Sequence, residues 1–317
     1  MQAGNTEHLG AELSQAGLGC ASAWGQWWFD EAKAIEIVER ALELGVTVFD
    51  TGASYSGGNA EPRLGKALKK KSLDRLLIST KIGTQVNPNG SLYKDWSRNG
   101  VLKSIESSRR NLGLDTIPLL YLHGPKVSTF TSELLDTLNE ARERKWVRWF
   151  GINSFDDDVL DAVADMRFFD VVMLDYNIMR IDREPMIEKL VAAGKIVVAG
   201  GALANQMHAP KFLWPRNRVD VWYALRAIRN HRRQYSYGKR LRFLSKIPGW
   251  TPSQIALAFT ASNKLIGASM FGTTRLTHLE ENLKAVGRKL PTDVEGKIRA
   301  VFVDAGRKAK RPPRGMA

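Results

Sequence analysis

The segment from Gly45 to Lys81, GVTVFDTGASYSGGNAEPRLGKALKKKSLDRLLISTK, decides the fold, because it predicts a strand, a polar loop, a helix and a second strand. The first strand is a β-branched and aromatic run, Val46 to Phe49, and Asp50 follows its carboxyl end. The second strand, Leu76 to Thr80, is followed in the same way by Lys81. This alternation of predicted strands and helices repeats along the 317 residues and favours one (β/α)8 TIM barrel over two smaller domains.

Functional side chains occur where the predicted strands end. Besides Asp50 and Lys81, a third apolar strand, Pro118 to Leu122, ends in His123, and Tyr55 lies on the loop after Asp50. In an α/β barrel the active site is built at the carboxyl ends of the strands. The sequence therefore predicts that these four side chains form a catalytic site.

The four residue types suit the reduction of a carbonyl group. A free tyrosine keeps its proton up to about pH 10, which is too high for efficient proton transfer near neutrality. A nearby lysine ammonium would favour the tyrosinate, and a carboxylate beside the lysine would orient the ammonium and keep it charged. A histidine can donate a hydrogen bond to the carbonyl oxygen. With a hydride donor supplied, this set predicts carbonyl reduction.

The motifs that carry these residues resemble those of the aldo-keto reductase superfamily. The matching stretches are FDTGASYSGGNAEPRLGKAL, ISTK and YLHGP. The resemblance implies a catalytic tetrad of Asp50, Tyr55, Lys81 and His123, with NADP(H) as the cofactor. It also implies a small-molecule carbonyl or alcohol substrate.

A second set of residues would hold the nicotinamide if the resemblance extends to the cofactor. The family's Ser-Asn pair, which binds the carboxamide, is matched here by Asn153 and Ser154 in reversed order. The family commonly has a glutamine where this chain has Met173, and an aromatic residue that stacks on the nicotinamide where it has Gly200. We call these four residues the nicotinamide seat. Two of these residues, Met173 and Gly200, depart from the family pattern.

The segment FGTTRLTHLEEN, after the eighth predicted strand, resembles the family's NADP-binding segment. Free N–H groups at a helix N-terminus, threonine hydroxyls and a guanidinium form a phosphate site on physical grounds alone. The guanidinium favours NADP over NAD, which lacks the 2'-phosphate. The candidate cofactor contacts in this segment are Gly272, Thr273, Thr274, Arg275, His278, Glu281 and Asn282.

Aromatic residues on the predicted loops are candidates for the walls of a substrate pocket, because they can stack on a ring or a sugar face. They are Trp24, Trp27, Tyr93, Trp96 and Trp214. For Trp24 and Trp27, packing against the side of the barrel is an equally good interpretation. The sequence does not identify the substrate beyond an aldehyde or ketone, and sugar-like compounds are among the candidates.

Composition limits the location and the domain organisation. We expect residues 1–304 to form one barrel domain and residues 305–317, a basic segment without periodic apolar residues, to be a disordered tail. No apolar run is long enough to span a bilayer, and the N-terminal segment lacks the features of a secretory signal. Cys20 is the only cysteine, so we expect no disulfide and no metal site built from cysteines. A cytoplasmic enzyme is the simplest placement.

The net charge of +14 is concentrated in part between Lys211 and Lys246. A solvated helical face explains this segment better than a nucleic-acid partner, which would show steeply salt-dependent binding to polyanions. Oligomeric state is not readable.

The sequence thus predicts an NADPH-dependent reductase with Tyr55 as the proton donor. Two alternatives stay open. One is an enzyme that retains its cofactor for a redox-neutral reaction on a sugar-like substrate. The other is a regulatory NADP-binding barrel with little turnover.

Overall fold

The computed structural model describes residues 13–204 and 238–309, together with the isolated positions Val221 and Leu225. The strands in these parts are β1 (Ala16–Gly19), β2 (Val48–Asp50), β3 (Leu77–Ile82), β4 (Thr84–Val86), β5 (Leu92–Lys94), β6 (Ile117–His123), β7 (Val147–Asn153), β8 (Val171–Asp175), β9 (Ile196–Gly200) and β10 (Ile266–Phe271). Eight of them are parallel and close into a barrel in the order β1-β10-β9-β8-β7-β6-β3-β2. The predicted (β/α)8 TIM barrel is confirmed.

Helices lie between the strands. They are α1 (Glu31–Glu43), α2 (Ala60–Leu68), α3 (Arg98–Leu112), α4 (Ser132–Glu143), α5 (Asp157–Ala164), α6 (Glu184–Ala192), α7 (Pro252–Ala261), α8 (Leu276–Leu283) and α9 (Thr292–Ala309). Polar residues begin several of them by accepting a first-turn N–H, as Asp30 does from Lys33 N and Ser97 from Gly100 N. Helix α7 starts with a capping box in which Thr251 and Gln254 bond each other's backbone N–H.

The eight barrel strands are largely apolar on both faces, because one face fills the barrel and the other packs against the helices. In β6 the alternation is visible along four consecutive residues. Leu119 and Tyr121 join the interior cluster with Met173, whereas Leu120 and Leu122 pack in the outer cluster with the helices. A continuous apolar run ending in a polar residue is therefore the sequence signature of these strands.

Several predicted boundaries shift by a few residues. The strand predicted from Val46 to Phe49 is observed as Val48–Asp50. Lys81 lies within β3, which extends to Ile82. These shifts leave the four tetrad residues at the carboxyl ends of the strands.

The polar stretch after β3 contains an antiparallel hairpin of β4 and β5. Gly83 turns the chain into it with a φ of +90°, which glycine adopts without strain. A Cβ at Gly83 would also lie 2.0 Å from the Trp96 ring. Each hairpin strand has only three residues, TQV and LYK, which is too short to show an apolar alternation, so the sequence pattern did not reveal the hairpin.

The C-terminal helix α9 continues to Ala309, beyond the expected end of the barrel domain at residue 304. Residues 305–309 are therefore helical, while residues 310–317 lie outside the described residues. Trp214 and most of the basic segment between Lys211 and Lys246 also lie outside them. No helix within the described ranges is long and apolar enough to cross a bilayer.

Candidate active site

Asp50 and Lys81 form a buried ion pair at the carboxyl end of the barrel. Lys81 Nζ donates to Asp50 Oδ2 at 2.5 Å and to the carbonyl oxygen of Thr51 at 2.7 Å. The other carboxylate oxygen, Asp50 Oδ1, accepts from the Ser79 hydroxyl at 2.7 Å. Strand register explains this contact, because Asp50 of β2 lies opposite Ser79 of β3. The ammonium is therefore fixed by two acceptors, one of them charged.

The environment of Lys81 keeps its ammonium protonated. The side chain is only 1% exposed, and burial, the largest single effect, lowers its pKa. The charge of Asp50, the interaction with Tyr55 and hydrogen bonds to both side chains act in the opposite direction. Together they outweigh burial, and the pKa of Lys81 lies above its ordinary value.

Tyr55 lies directly against this ammonium. It begins a short 3-10 turn, Tyr55–Gly58, in which Ser56 and Gly57 adopt left-handed backbone angles. Lys81 Nζ is 4.7 Å from the centroid of the Tyr55 ring, and the two side chains are hydrogen-bonded. A Cβ at Gly52 would lie 3.3 Å from the same ring, so glycine there leaves room for the tyrosine to fold back over the strand end.

His123, the last residue of β6, completes the group of four side chains. Its ring meets the Tyr55 ring edge-on, with centroids 5.6 Å apart and an interplanar angle of 84°. Burial, followed by the positive charges of Lys81 and Lys94, lowers the pKa of His123 to about 3. The imidazole is therefore neutral at physiological pH and can act as a hydrogen-bond donor without carrying a charge.

This arrangement has the parts of a proton-donating site. A phenol lies against an ammonium that stabilises its deprotonated form, and a neutral imidazole lies beside the phenol. An oxygen atom placed between the phenol and the imidazole could accept a hydrogen bond from each. The tertiary structure thus brings together all four residues expected from the strand ends.

The nicotinamide seat lies next to His123 in the barrel. Strand register places His123 opposite Asn153 of β7, and Asn153 opposite Met173 of β8. Asn153 Nδ2 donates to the Met173 carbonyl at 3.4 Å, and no described residue donates to its side-chain oxygen. The Met173 side chain fills the space beside Gly200, where an added Cβ would lie 3.5 Å from Met173 Cγ. Asn153 and Ser154 are thus buried beside the tetrad, with hydrogen-bonding capacity left for an amide.

The segment FGTTRLTHLEEN, predicted to bind the cofactor phosphate, runs from the end of β10 into α8. Thr273 Oγ1 accepts from Arg275 N at 3.2 Å and donates to Arg275 O at 3.1 Å, which shapes the turn before the helix. No side chain caps the first turn of α8. The Arg275 side chain is exposed and has no carboxylate partner among the residues described. Free N–H groups beside an unpaired guanidinium fit a bound phosphate.

The remaining candidates of this segment have different surroundings. Asn282 is buried, Thr274 and His278 are half-buried, and Gly272 and Glu281 are exposed. The neighbouring Glu280 is bonded to Arg40 at 2.8 Å, so the carboxylate available to a ligand is that of Glu281.

The aromatic candidates separate into two groups. Trp24 is 2% exposed and its indole N–H donates to the Ala34 carbonyl at 3.0 Å, so it belongs to the core and not to a pocket wall. Trp96 is half-buried, because it covers Gly83. Trp27 and Tyr93 are 84% and 45% exposed and remain available to a ligand.

The aldo/keto reductase family model matches residues 16–302. This chain belongs to the aldo-keto reductase family. Membership makes it an oxidoreductase of a family that uses nicotinamide cofactors and acts on small-molecule carbonyl compounds.

Three relatives of this aldo-keto reductase are distant in sequence but cover at least 90% of it. An uncharacterized oxidoreductase of Bacillus subtilis is 22% identical over 285 residues, which is 90% of each chain. A probable voltage-gated potassium channel subunit beta of Arabidopsis thaliana is 26% identical over 310 residues, covering 90% of this chain and 91% of the relative. The holo form of an aldo-keto reductase from Bacillus halodurans superposes with a TM-score of 0.75, at 22% identity and 95% coverage of each chain.

Ser79 and Lys94 are bonded to tetrad residues and were not among the candidates. Ser79 bonds Asp50, and because it lies two residues before Lys81 on the same strand, the period of two already placed both on one face. Lys94 donates to the His123 carbonyl oxygen. No local pattern pointed to Lys94, because its position depends on the folding of the β4–β5 hairpin over the end of β6.

Proposed function

We propose that this aldo-keto reductase is an NADPH-dependent carbonyl reductase in which Tyr55 donates the proton. The observation that carries the proposal is the buried contact chain from Asp50 through Lys81 to Tyr55, with His123 against the Tyr55 ring. A buried ion pair without a function is costly to maintain, and here its ammonium lies against the one phenol of the group.

In this mechanism each protein group has one role. Neutral His123 donates a hydrogen bond to the substrate carbonyl oxygen and orients it toward Tyr55. Tyr55 transfers its phenolic proton to that oxygen, and the Lys81 ammonium stabilises the tyrosinate that remains. Asp50 and the Thr51 carbonyl hold the ammonium in place. NADPH, when bound, supplies the hydride that adds to the carbonyl carbon, so the product is an alcohol.

The cofactor would be held at two places. Asn153 and Ser154 would bind the carboxamide, since one offers a side-chain oxygen and the other a hydroxyl proton. At the other end, Thr273, Thr274 and Arg275 would bind the 2'-phosphate, and Gly272, His278, Glu281 and Asn282 would complete the adenosine site. The exposed and unpaired Arg275 supports NADP over NAD.

A regulatory role is the second candidate. The relative from Arabidopsis thaliana is named as a probable channel subunit, and Met173 and Gly200 replace two residues that commonly contact the nicotinamide. In this role the chain would bind the cofactor and turn it over slowly or not at all.

The deciding experiment compares wild type and Tyr55→Phe for consumption of NADPH, and separately NADH, with a panel of aldehydes, ketones and keto-sugars. We expect turnover with NADPH, and a fall of about 10²- to 10⁴-fold in kcat for the variant, as for loss of a general acid. Equal rates in the two proteins would contradict Tyr55 as the donor. Bound cofactor that is not consumed would favour the regulatory or redox-neutral alternative.

A further inference from the structure

Lys94 places a second cation at the mouth of the site. It is the last residue of β5, and its ammonium donates to the carbonyl oxygen of His123 and to Thr84 Oγ1, the latter at 2.7 Å. The same nitrogen lies 5.7 Å from the centroid of the Trp96 ring. The hairpin thus holds a positive charge directly on the backbone of the residue whose side chain faces Tyr55.

No carboxylate of the described residues neutralises this charge. An ammonium has three donors, and the contacts of Lys94 use two of them on uncharged oxygens. No carboxylate lies within 4.0 Å of it among the residues that the structure describes. Lys81, by contrast, is paired with Asp50. Lys94 is exposed as a residue, and the partial desolvation of its ammonium lowers its pKa.

A purely structural role explains only part of this arrangement. Bonding to the His123 carbonyl and the Thr84 hydroxyl ties the hairpin to the barrel, but a neutral amide could make the same two bonds, so this role does not require a charge. The positive charge of Lys94 also acts on a residue of the site, because it contributes to the low pKa of His123. Its effect on His123 means that a ligand bound at the imidazole lies within the field of Lys94.

We propose that Lys94 anchors a carboxylate of the substrate, so that the enzyme prefers carbonyl compounds that carry a carboxylate over neutral ones. The inference rests on the proposed function, since the substrate carbonyl is taken to bind at Tyr55 and His123. The third donor of Lys94 would bond the carboxylate in a charge-assisted hydrogen bond. Leu92, two residues before Lys94 on the same face of β5, is exposed and offers an apolar contact to the body of such a substrate.

The test uses two probes of the same shape, 4-carboxybenzaldehyde and its methyl ester, with the full-length protein and bound NADP⁺. Binding of each is measured by calorimetry, which does not depend on turnover, and kcat/KM is measured in parallel with NADPH. The variants are Lys94→Gln, which keeps a donor but removes the charge, and Lys94→Arg, which keeps the charge. Lys103→Met, on the exposed side of α3, controls for a general loss of positive charge.

The informative quantity is the ratio of acid affinity to ester affinity. Any distortion of the hairpin affects both probes, so the ratio isolates the charge. We expect the wild type to prefer the acid by about tenfold, which corresponds to one charge-assisted contact. Lys94→Gln should abolish most of this preference, while Lys94→Arg and Lys103→Met should retain it.

An acid-to-ester ratio that is the same in wild type and Lys94→Gln would overturn the inference, as would a wild type without any preference. Failure of the proposed function is separable from this result. If neither aldehyde is reduced but acid binding still depends on Lys94, the reductase proposal fails and the anchor stands. If both aldehydes are reduced and the acid-to-ester affinity ratio does not depend on Lys94, the reductase proposal stands and the anchor fails.

Discussion

Two lysines are buried at opposite ends of the barrel, and their surroundings differ. Lys81, at the carboxyl end, is bonded to the Asp50 carboxylate and to Tyr55. Lys195, directly before β9 at the amino end, is 4% exposed and donates to the carbonyl oxygens of Met166 and Phe169 at 2.5 Å and 2.9 Å. Burial lowers the pKa of Lys195, and the charges of Asp170 and Asp165 do not reverse the effect. The pKa of Lys81 is raised.

The comparison separates two uses of a buried cation. Lys195 joins the loop before β9 to the loop before β8 through uncharged acceptors, so its role is to hold the bottom of the barrel together. Lys81 has a charged acceptor on one side and an ionisable phenol on the other, so its charge acts on a group that can transfer a proton. Burial alone therefore does not identify a functional lysine, whereas the nature of its partners does.

The largest effect is expected from Lys81→Met. Removing the ammonium leaves the Asp50 carboxylate buried without its partner, which should lower the free energy of unfolding by about 3–5 kcal/mol. NADPH-dependent turnover should fall by about 10²-fold or more, because nothing then stabilises the tyrosinate. Urea denaturation and steady-state kinetics on the folded protein measure the two effects.

A double substitution sharpens this prediction. Asp50→Asn combined with Lys81→Met removes the unpaired charge and should regain much of the stability without regaining turnover. If turnover returned together with stability in the double variant, Lys81 would have a structural role only and no role in proton transfer.

Lys195→Met is the matched substitution at the other end. It leaves two backbone carbonyls without their charged donor, and we expect a loss of about 2 kcal/mol in the free energy of unfolding. The value of kcat/KM per folded molecule should stay within about twofold of wild type, because the tetrad is not touched. A large fall in kcat/KM at unchanged stability would remove the distinction between the two lysines.

The smallest effect concerns alkaline stability between about pH 9 and 11, where unperturbed lysines titrate. Near pH 10.5 the folded state holds its proton on Lys81 more tightly than the unfolded state, so Lys81 makes stability fall as pH rises. The folded state releases the Lys195 proton more readily, so Lys195 makes stability rise over the same range. Denaturation series should show a shallower alkaline loss in Lys81→Met and a steeper one in Lys195→Met. Equal slopes in both variants would contradict opposite pKa shifts.

Much of the site could be predicted because its signal is local. Asp50, Lys81 and His123 each follow an apolar run, and parallel strands in a barrel bring their carboxyl ends together wherever the loops go. Ser79 was readable from the same strand by its spacing from Lys81. The pocket residues were not, since an aromatic side chain on a loop can turn outward, as Trp27 does, or into the core, as Trp24 does.

The sequence by itself determined the barrel, the family and the residues at the strand ends, because apolar periodicity and short motifs encode them within a few neighbouring positions. The tertiary structure alone decided which charges are compensated. Lys81, Lys94 and Lys195 are the same residue type, and the sequence does not show their hydrogen-bond acceptors, which are at least 10 residues away in the chain. Only folding places a carboxylate beside the first and uncharged oxygens beside the other two, and that difference in partners sets what each cation can do.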